Sequence, residues 1–239
     1  MHNVKEKLTF IEINPGLGSF GFAAEAAGMI RLGPLMLSRD VRDAYLAFHG
    51  AGSEETIAET ADVVVANLPF TMFLDGKNAD PDVLDVIDAA KGAIRKNGII
   101  VFRVKWDIGK RVDMPLAEYV KVVLAAFSKH SVSAFMDDSD GSDPVLTNDL
   151  YIIVAPQSAP APFGLNFAHG GAAVIHAIRL DDPRLADIDP QLIVAALGFP
   201  EAFFSVAGTV PDIHERLREC VAIRRAKVVL EFVASNIRG

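Results

Sequence analysis

The sequence predicts an α/β fold, Rossmann-like, with a mostly parallel sheet covered by helices on both faces. Three observations carry that expectation. Strand-like and helix-like segments alternate through residues 1–155, the way a parallel sheet with crossover helices reads in sequence. A glycine-rich turn, Gly16-Leu17-Gly18-Ser19-Phe20-Gly21, joins the first strand candidate to the first helix candidate. Hydrophobic residues make up 51% of the 239-residue chain and charged residues 23%, which is enough apolar surface for a sizeable core and excludes a disordered chain.

In chain order, Leu8 to Asn14 reads as a strand, Ser19 to Ala27 as a helix, Arg31 to Leu37 as a strand and Asp40 to His49 as a helix. Ala61 to Ala66 is a buried strand around its valine run. Pro81 to Lys96 is a helix, with Asn97-Gly98 as its C-terminal signal, and Ile99 to Val104 is the next strand. A helix over Met114 to His130 precedes two strands, Ser131 to Phe135 and Leu150 to Ala155. The Asp137 to Asp143 connector between those two is too short for a helical crossover, so they are expected to form an antiparallel hairpin at the end of the sheet.

The three prolines of Pro156 to Pro162 cannot continue a central strand and mark a boundary. The chain therefore divides into an α/β domain at 1–155, a linker with a reduced following region at 156–188, and C-terminal helices at 189–239 that pack back on the α/β domain. Asp189-Pro190 opens a short helix as N-cap and first-turn proline, and Gly198-Phe199-Pro200 ends it. A long helix is expected from Asp212 to Asn236, with Ile213, Leu217, Cys220, Val221, Val228, Phe232 and Val233 on one apolar stripe.

Charge and cysteine usage narrow the function. Asp and Glu number 31 against 23 Lys and Arg, a net charge of -8 with no basic block, so binding to a phosphate backbone has no electrostatic driver. One cysteine, Cys220, excludes a disulfide framework and fits a reducing compartment. With neither an apolar signal core nor an apolar run near about 18 residues, the expectation is a cytoplasmic protein without a membrane segment. The six histidines, His2, His49, His130, His169, His176 and His214, have no paired spacing that would argue a metal site. Asp138, Asp140, Gly141 and Asp143 lack the closing glutamate of a calcium loop and read as a solvated turn.

The glycine turn has the form G-x-G-x-x-G at the start of a helix, where backbone N–H groups meet a nucleotide, and Ser38-Arg39 after the second strand suggests a 2′-phosphate contact. Glycines that only permit a tight turn are the competing reading. The wider segment says more. Phe10-Ile11-Glu12-Ile13-Asn14-Pro15-Gly16-Leu17-Gly18-Ser19-Phe20, then Ala24 to Gly28 and Tyr45 to Gly50, resembles the opening of the cytosine-5 DNA methyltransferase family. Asp62 to Phe73 is similar to that family's strand and loop carrying the catalytic Pro-Cys, and Asp189-Pro190 with Leu197 to Phe203 to its Thr-Pro and Gly-Phe-Pro segment. The resemblance implies a methyltransferase fold and S-adenosylmethionine as cofactor.

Residue by residue the family's chemistry does not carry over. Phe70 stands at the place of the cysteine whose thiolate adds to the base. Phe102-Arg103-Val104 stands at the Glu-Asn-Val whose carboxyl group holds the base, and Val145 to Asp149 at the Gln-x-Arg-x-Arg stretch. Cys220, on the apolar stripe, cannot substitute. Met36 falls where the family has the ribose-binding acid, and Arg218-Glu219 on its Gly-Asn pair. The cofactor contacts that remain are Pro15, Gly16, Leu17, Gly18, Ser19, Phe20, Asn67 and Pro69, with little chain left for a base-reading domain.

Three functions stand on this sequence. The first is a cytosine-5 methyltransferase-like protein without catalysis, acting in binding, regulation or interaction, as a homodimer or beside an active methyltransferase, with weak S-adenosylmethionine binding if any. The second is an active S-adenosylmethionine-dependent enzyme with altered chemistry through Asn67-Leu68-Pro69-Phe70, which is similar to the Asn/Asp-Pro-Pro-Tyr/Phe loop of amino-group methyltransferases except at Leu68. The third is an NADP-binding Rossmann enzyme using Gly16, Gly18, Gly21 and Arg39.

Overall fold

The structure is a computed structural model and describes residues 6–50, 60–68, 81–105, 116–138, 145–146, 148–157, 178–179, 183–207 and 209–238. Its first half alternates as expected: Thr9–Ile13 (β1), Ser19–Ala26 (α1), Ile30–Leu35 (β2), Arg39–His49 (α2), Ala61–Leu68 (β3), Pro81–Ala93 (α3), Ile94–Lys105 (β4) and Leu116–Ala126 (α4). His130–Asp138 (β5), Val145–Leu146 (β6), Asn148–Pro156 (β7) and Ile178–Arg179 (β8) follow. The C-terminal part holds Pro190–Leu197 (α5), Phe204–Ala207 (α6), Ile213–Arg218 (α7) and Ile223–Arg238 (α8).

Six strands form one sheet in the order β2-β1-β3-β4-β7-β5. β1 to β4 run parallel to one another, while β7 is antiparallel to both β4 and β5. The expected terminal hairpin is therefore present, with β7 inserted between β4 and β5. β6 and β8, short strands that the alternation did not indicate, pair with each other.

Side-chain alternation along these strands gives the sheet two apolar faces, each covered by helices. On one face Ile11, Ile13, Val64, Ile100, Phe102 and Ile152 meet Val86, Ile87 and Ala90 of α3 and Val123 of α4. On the other, Phe10, Val63, Val65, Val101, Tyr151 and Ile153 meet Phe20 and Ala23 of α1 and Val229, Leu230 and Val233 of α8. A third cluster joins Leu17, Val41 and Ala44 to Ile193, Leu197, Phe203 and Leu217 of the C-terminal helices.

Two expectations are corrected. The helix read as Pro81 to Lys96 ends at Ala93, and Asn97-Gly98 lies inside β4 rather than at a helix terminus. Ile94 already pairs with Ala61, and the register shifts before Val63 meets Ile99. A Cβ on Gly98 would lie 2.8 Å from the Asp62 carbonyl oxygen and 2.5 Å from Ile94 Cδ1, so the glycine serves a close backbone approach. The helix read as Asp212 to Asn236 is two helices, α7 and α8, and its single stripe is divided. Leu217 and Cys220 join the helical cluster, whereas Val221 and Val233 pack on the sheet. The break falls where the carbonyl oxygens of Glu219 and Cys220 accept hydrogen bonds from the Arg103 guanidinium instead of from the next helical turn.

The short helix opens and closes as its sequence indicates. Asp189 accepts from Gln191 N at 2.9 Å, Pro190 occupies the first turn, and Gly198 closes it at φ 84. Most of the proline-rich linker and the Asp140, Gly141 and Asp143 turn lie outside the described residues, as do His2, His169 and His176. No helix among the described residues is long and apolar enough to cross a membrane, and no group of three or more His, Cys, Asp or Glu side chains there is placed to hold a metal ion.

Candidate functional site

β1 has β2 on one side and β3 on the other, so the strand order reverses there. In open α/β sheets a ligand crevice lies beyond the carboxyl ends of the strands at such a switch point. Asn14 follows β1 and Asn67 lies near the end of β3, and the two grip each other. Asn14 Nδ2 donates to the Asn67 carbonyl at 3.0 Å and Asn67 Nδ2 donates to the Asn14 carbonyl at 3.0 Å. Asn14 N also donates to the Leu35 carbonyl at 2.9 Å, which ties in the end of β2.

Two rim residues are held in the left-handed region, Asn14 at φ 50 and Met36 at φ 55. Asparagine tolerates that conformation, whereas for Met36 it costs roughly 1–2 kcal/mol. Met36 is 45% exposed at the end of β2, and its thioether brings no charge to the position that the resemblance gives to a ribose-binding acid.

The glycine turn is built differently at each glycine. Gly16, at φ 55, has nothing within 4 Å of where a Cβ would stand. Gly18 N-caps α1 at φ 84, and its Cβ would lie 2.6 Å from His49 Nε2 and 2.7 Å from Tyr45 Cε2. A Cβ on Gly21 would lie 2.9 Å from His49 Cε1. Gly18 and Gly21 are thus required by internal packing against α2, and Gly16 is the glycine of the turn that presents bare backbone to open space.

The other members of the expected contact set divide the same way. Leu17 belongs to the helical cluster, and Phe20 packs edge-on against Tyr151 with ring centroids 6.4 Å apart, so both side chains are core. Pro15 and Ser19 are buried, and Ser19 lies beside the Cys220 thiol. Pro69 and Phe70 are outside the described residues. Gly16 and Asn67 remain at the crevice.

Under the turn lies a polar cluster that the sequence reading missed. Glu12 on β1 is fully buried, with its carboxyl group turned toward the first amides of α1. Burial pushes its pKa up to about 8, opposed by the Arg31 charge and by the amides of Gly21 and Phe20 at the start of α1. Arg31 Nη1 donates to Tyr45 Oη at 3.1 Å, and Arg31 Nη2 donates to the His49 carbonyl. Burial, and then Arg31, push His49 down to about 3, so its imidazole is neutral and its contact with Glu25 at 3.5 Å is not an ion pair. The signal available in sequence was a single acid, Glu12, within an apolar strand.

A second network crosses the strand ends. Arg103 Nε donates to Asp149 Oδ1 at 2.9 Å, and Arg103 Nη2 lies 2.7 Å from the same oxygen. Nη1 donates to the Glu219 carbonyl at 2.6 Å and to Asn67 Oδ1 at 3.4 Å, and Nη2 to the Cys220 carbonyl at 3.3 Å. Arg103 and Asp149 are 5% and 0% exposed. Burial, then Arg103, lower the nearby Lys105 to about 8. Cys220 is buried with its thiol pushed up to about 12, chiefly by burial, and its Sγ donates to the Arg216 carbonyl at 3.4 Å. It lies in the α7–α8 link rather than on a helix, and it supplies no thiolate. Phe102 points to the opposite face, fully buried and 5.7 Å from the Phe127 ring. Arg39, invoked for a 2′-phosphate, is exposed at the start of α2.

Against known proteins, no family model matches the chain and no curated protein matches it in sequence. Solved structures do match in fold. A putative DNA modification methyltransferase encoded within an Escherichia coli prophage superposes with a TM-score of 0.69 at 10% identity, over 98% of this chain and 100% of that one. The Schizosaccharomyces pombe Dnmt2 methyltransferase gives 0.61 at 9% identity, over 96% and 99%. The Entamoeba histolytica methyltransferase EhMeth gives 0.61 at 10%, over 98% and 100%. The fold is that of the cytosine-5 methyltransferase-like proteins, a Rossmann-like mixed sheet with flanking helices.

Proposed function

We propose that this chain is a ligand-binding or regulatory protein on a methyltransferase fold and that it does not methylate cytosine at C5. The observation that carries this reading is the state of β4 at the crevice. Cytosine-5 transfer needs a carboxyl group on the base and a thiolate at C6. Phe102, which the resemblance puts at the place of that acid, is fully buried in the core, and its neighbour Arg103 is spent on Asp149 and on the α7–α8 link. Cys220 is buried and protonated. The role fits a partner to itself or to an active methyltransferase.

The cofactor implied by the fold fits in part. Gly16 and Asn67 would hold S-adenosylmethionine, which would supply an electrophilic methyl group when bound. Met36 in place of an acid withdraws a charge-assisted hydrogen bond of roughly 1.5–3 kcal/mol, equivalent to about one to two orders of magnitude in affinity. The dinucleotide reading loses ground because Glu12 lies at the Phe20 and Gly21 amides that a pyrophosphate would use.

Calorimetric titration of the wild type and of Met36→Glu with S-adenosylmethionine, S-adenosylhomocysteine and NADPH tests this. Weak or no binding by the wild type, with a gain for the sulfonium ligand in Met36→Glu, is the expected result. Low-micromolar binding of S-adenosylmethionine by the wild type would favour an active enzyme, and tight NADPH binding would overturn the reading altogether.

A further inference from the structure

The Arg103 guanidinium joins four elements at the strand ends: its own β4, Asp149 on β7, Asn67 on β3, and the two carbonyls of the α7–α8 link. Asn67 has one side-chain acceptor and one donor group, and both are engaged. Its Nδ2 donates to the Asn14 carbonyl, so its Oδ1 must face a donor, and Arg103 is that donor. Turning the amide over would place Nδ2 against the guanidinium and Oδ1 against a carbonyl, losing both bonds. The same guanidinium holds the Glu219 and Cys220 carbonyls out of helical register, which sets where α7 stops.

We propose that Arg103 is a positioning residue of the crevice, locking the Asn67 amide and the α7–α8 link into one unit so that a change at either is felt at the other. This rests on the reading that the crevice between β1 and β3 is the ligand site. Asn14, Asn67, Arg103 and the link then form one hydrogen-bonded line from the β2 end to the C-terminal helices. A ligand that contacts Asn67 alters the docking of α7 and α8, and a partner that holds those helices alters the crevice, since such coupling is reciprocal.

Amide hydrogen exchange on the full chain tests this without a ligand, using Asn67→Ala, Arg103→Lys and the double variant. Lysine keeps a positive charge against Asp149 but lacks the fork that reaches two carbonyls and an amide. Each single change is expected to speed exchange at residues 221–226 by about threefold to tenfold, the worth of one or two ordinary hydrogen bonds, with α3 amides unchanged. The double variant should exceed the larger single effect by little, because both changes break one line. An unaltered rate at 221–226 in Asn67→Ala, or two effects that multiply, would overturn the proposal. Asn67→Ala carries the test by itself if Arg103→Lys does not fold. Tight NADPH binding in the calorimetric titration would overturn the proposed function, whereas an unaltered exchange rate at 221–226 would overturn this coupling, so the two failures are distinguishable.

Discussion

Glu12→Gln should stabilise the protein at neutral pH and flatten part of its pH dependence. The Glu12 carboxyl has an ordinary pKa of 4.5 and a folded value of about 8. Between those two values the folded chain keeps a proton that the unfolded chain has released, so stability falls as pH rises from about 4.5 to about 8 and is level outside that window. The groups around it are Arg31 from β2, Arg103 from β4, Tyr45 from α2 and the first amides of α1, and the positive charges only partly offset burial. At pH 7 the proton is held roughly 2.5 pH units above the ordinary pKa, at about 1.4 kcal/mol per unit, so the cost is about 3 kcal/mol. Glutamine resembles the protonated acid and removes this cost. Urea unfolding of both proteins from pH 4.5 to 8.5 should show curves that coincide at the acid end and separate steadily to about pH 8, with the variant the more stable. Parallel stability profiles would refute the assignment of a buried, protonated Glu12.

Other consequences follow from the same cluster and its neighbours. His49 works in the opposite direction, because a folded value near 3 against an ordinary 6.5 means that its stabilising share is lost as pH falls below 6.5, and His49→Gln should remove that acid sensitivity in the same unfolding series. Gly18→Ala should cost about 2–4 kcal/mol from overpacking against His49 and Tyr45 plus left-handed strain, whereas Gly16→Ala should cost only about 1 kcal/mol from strain, as thermal unfolding would show. Cys220 should resist a disulfide-exchange reagent in the native state and react on unfolding, and prompt native reaction would contradict its burial.

The sheet was legible because its central strands carry predominantly apolar runs and its turns carry glycine and proline, both local signals. Asn97-Gly98 misled because the pairing of Ile94 with Ala61 decides where α3 ends, and that contact is remote in sequence. The α7–α8 break was illegible for the same reason, since the donor that takes the Glu219 carbonyl lies 116 residues away. At the site, the glycine turn and Asn67 were found by type and order. Which glycines face open space was not, because His49 and Tyr45 fill the room beside Gly18. Arg103 and Glu12 were each visible as a single charge inside an apolar strand, the pattern that marks a buried group with a task.

The proposed function, a chain with a methyltransferase fold that does not methylate cytosine at C5, is open to direct test. Incubating the purified full chain with cytosine-containing duplex DNA and a donor carrying a tritiated methyl group, then counting tritium at cytosine C5, measures this directly. The expected result is no label above a protein-free blank from about pH 7 to about pH 9, one unit either side of the Lys105 value of about 8. Time-dependent label at C5 that scales with protein concentration would contradict it.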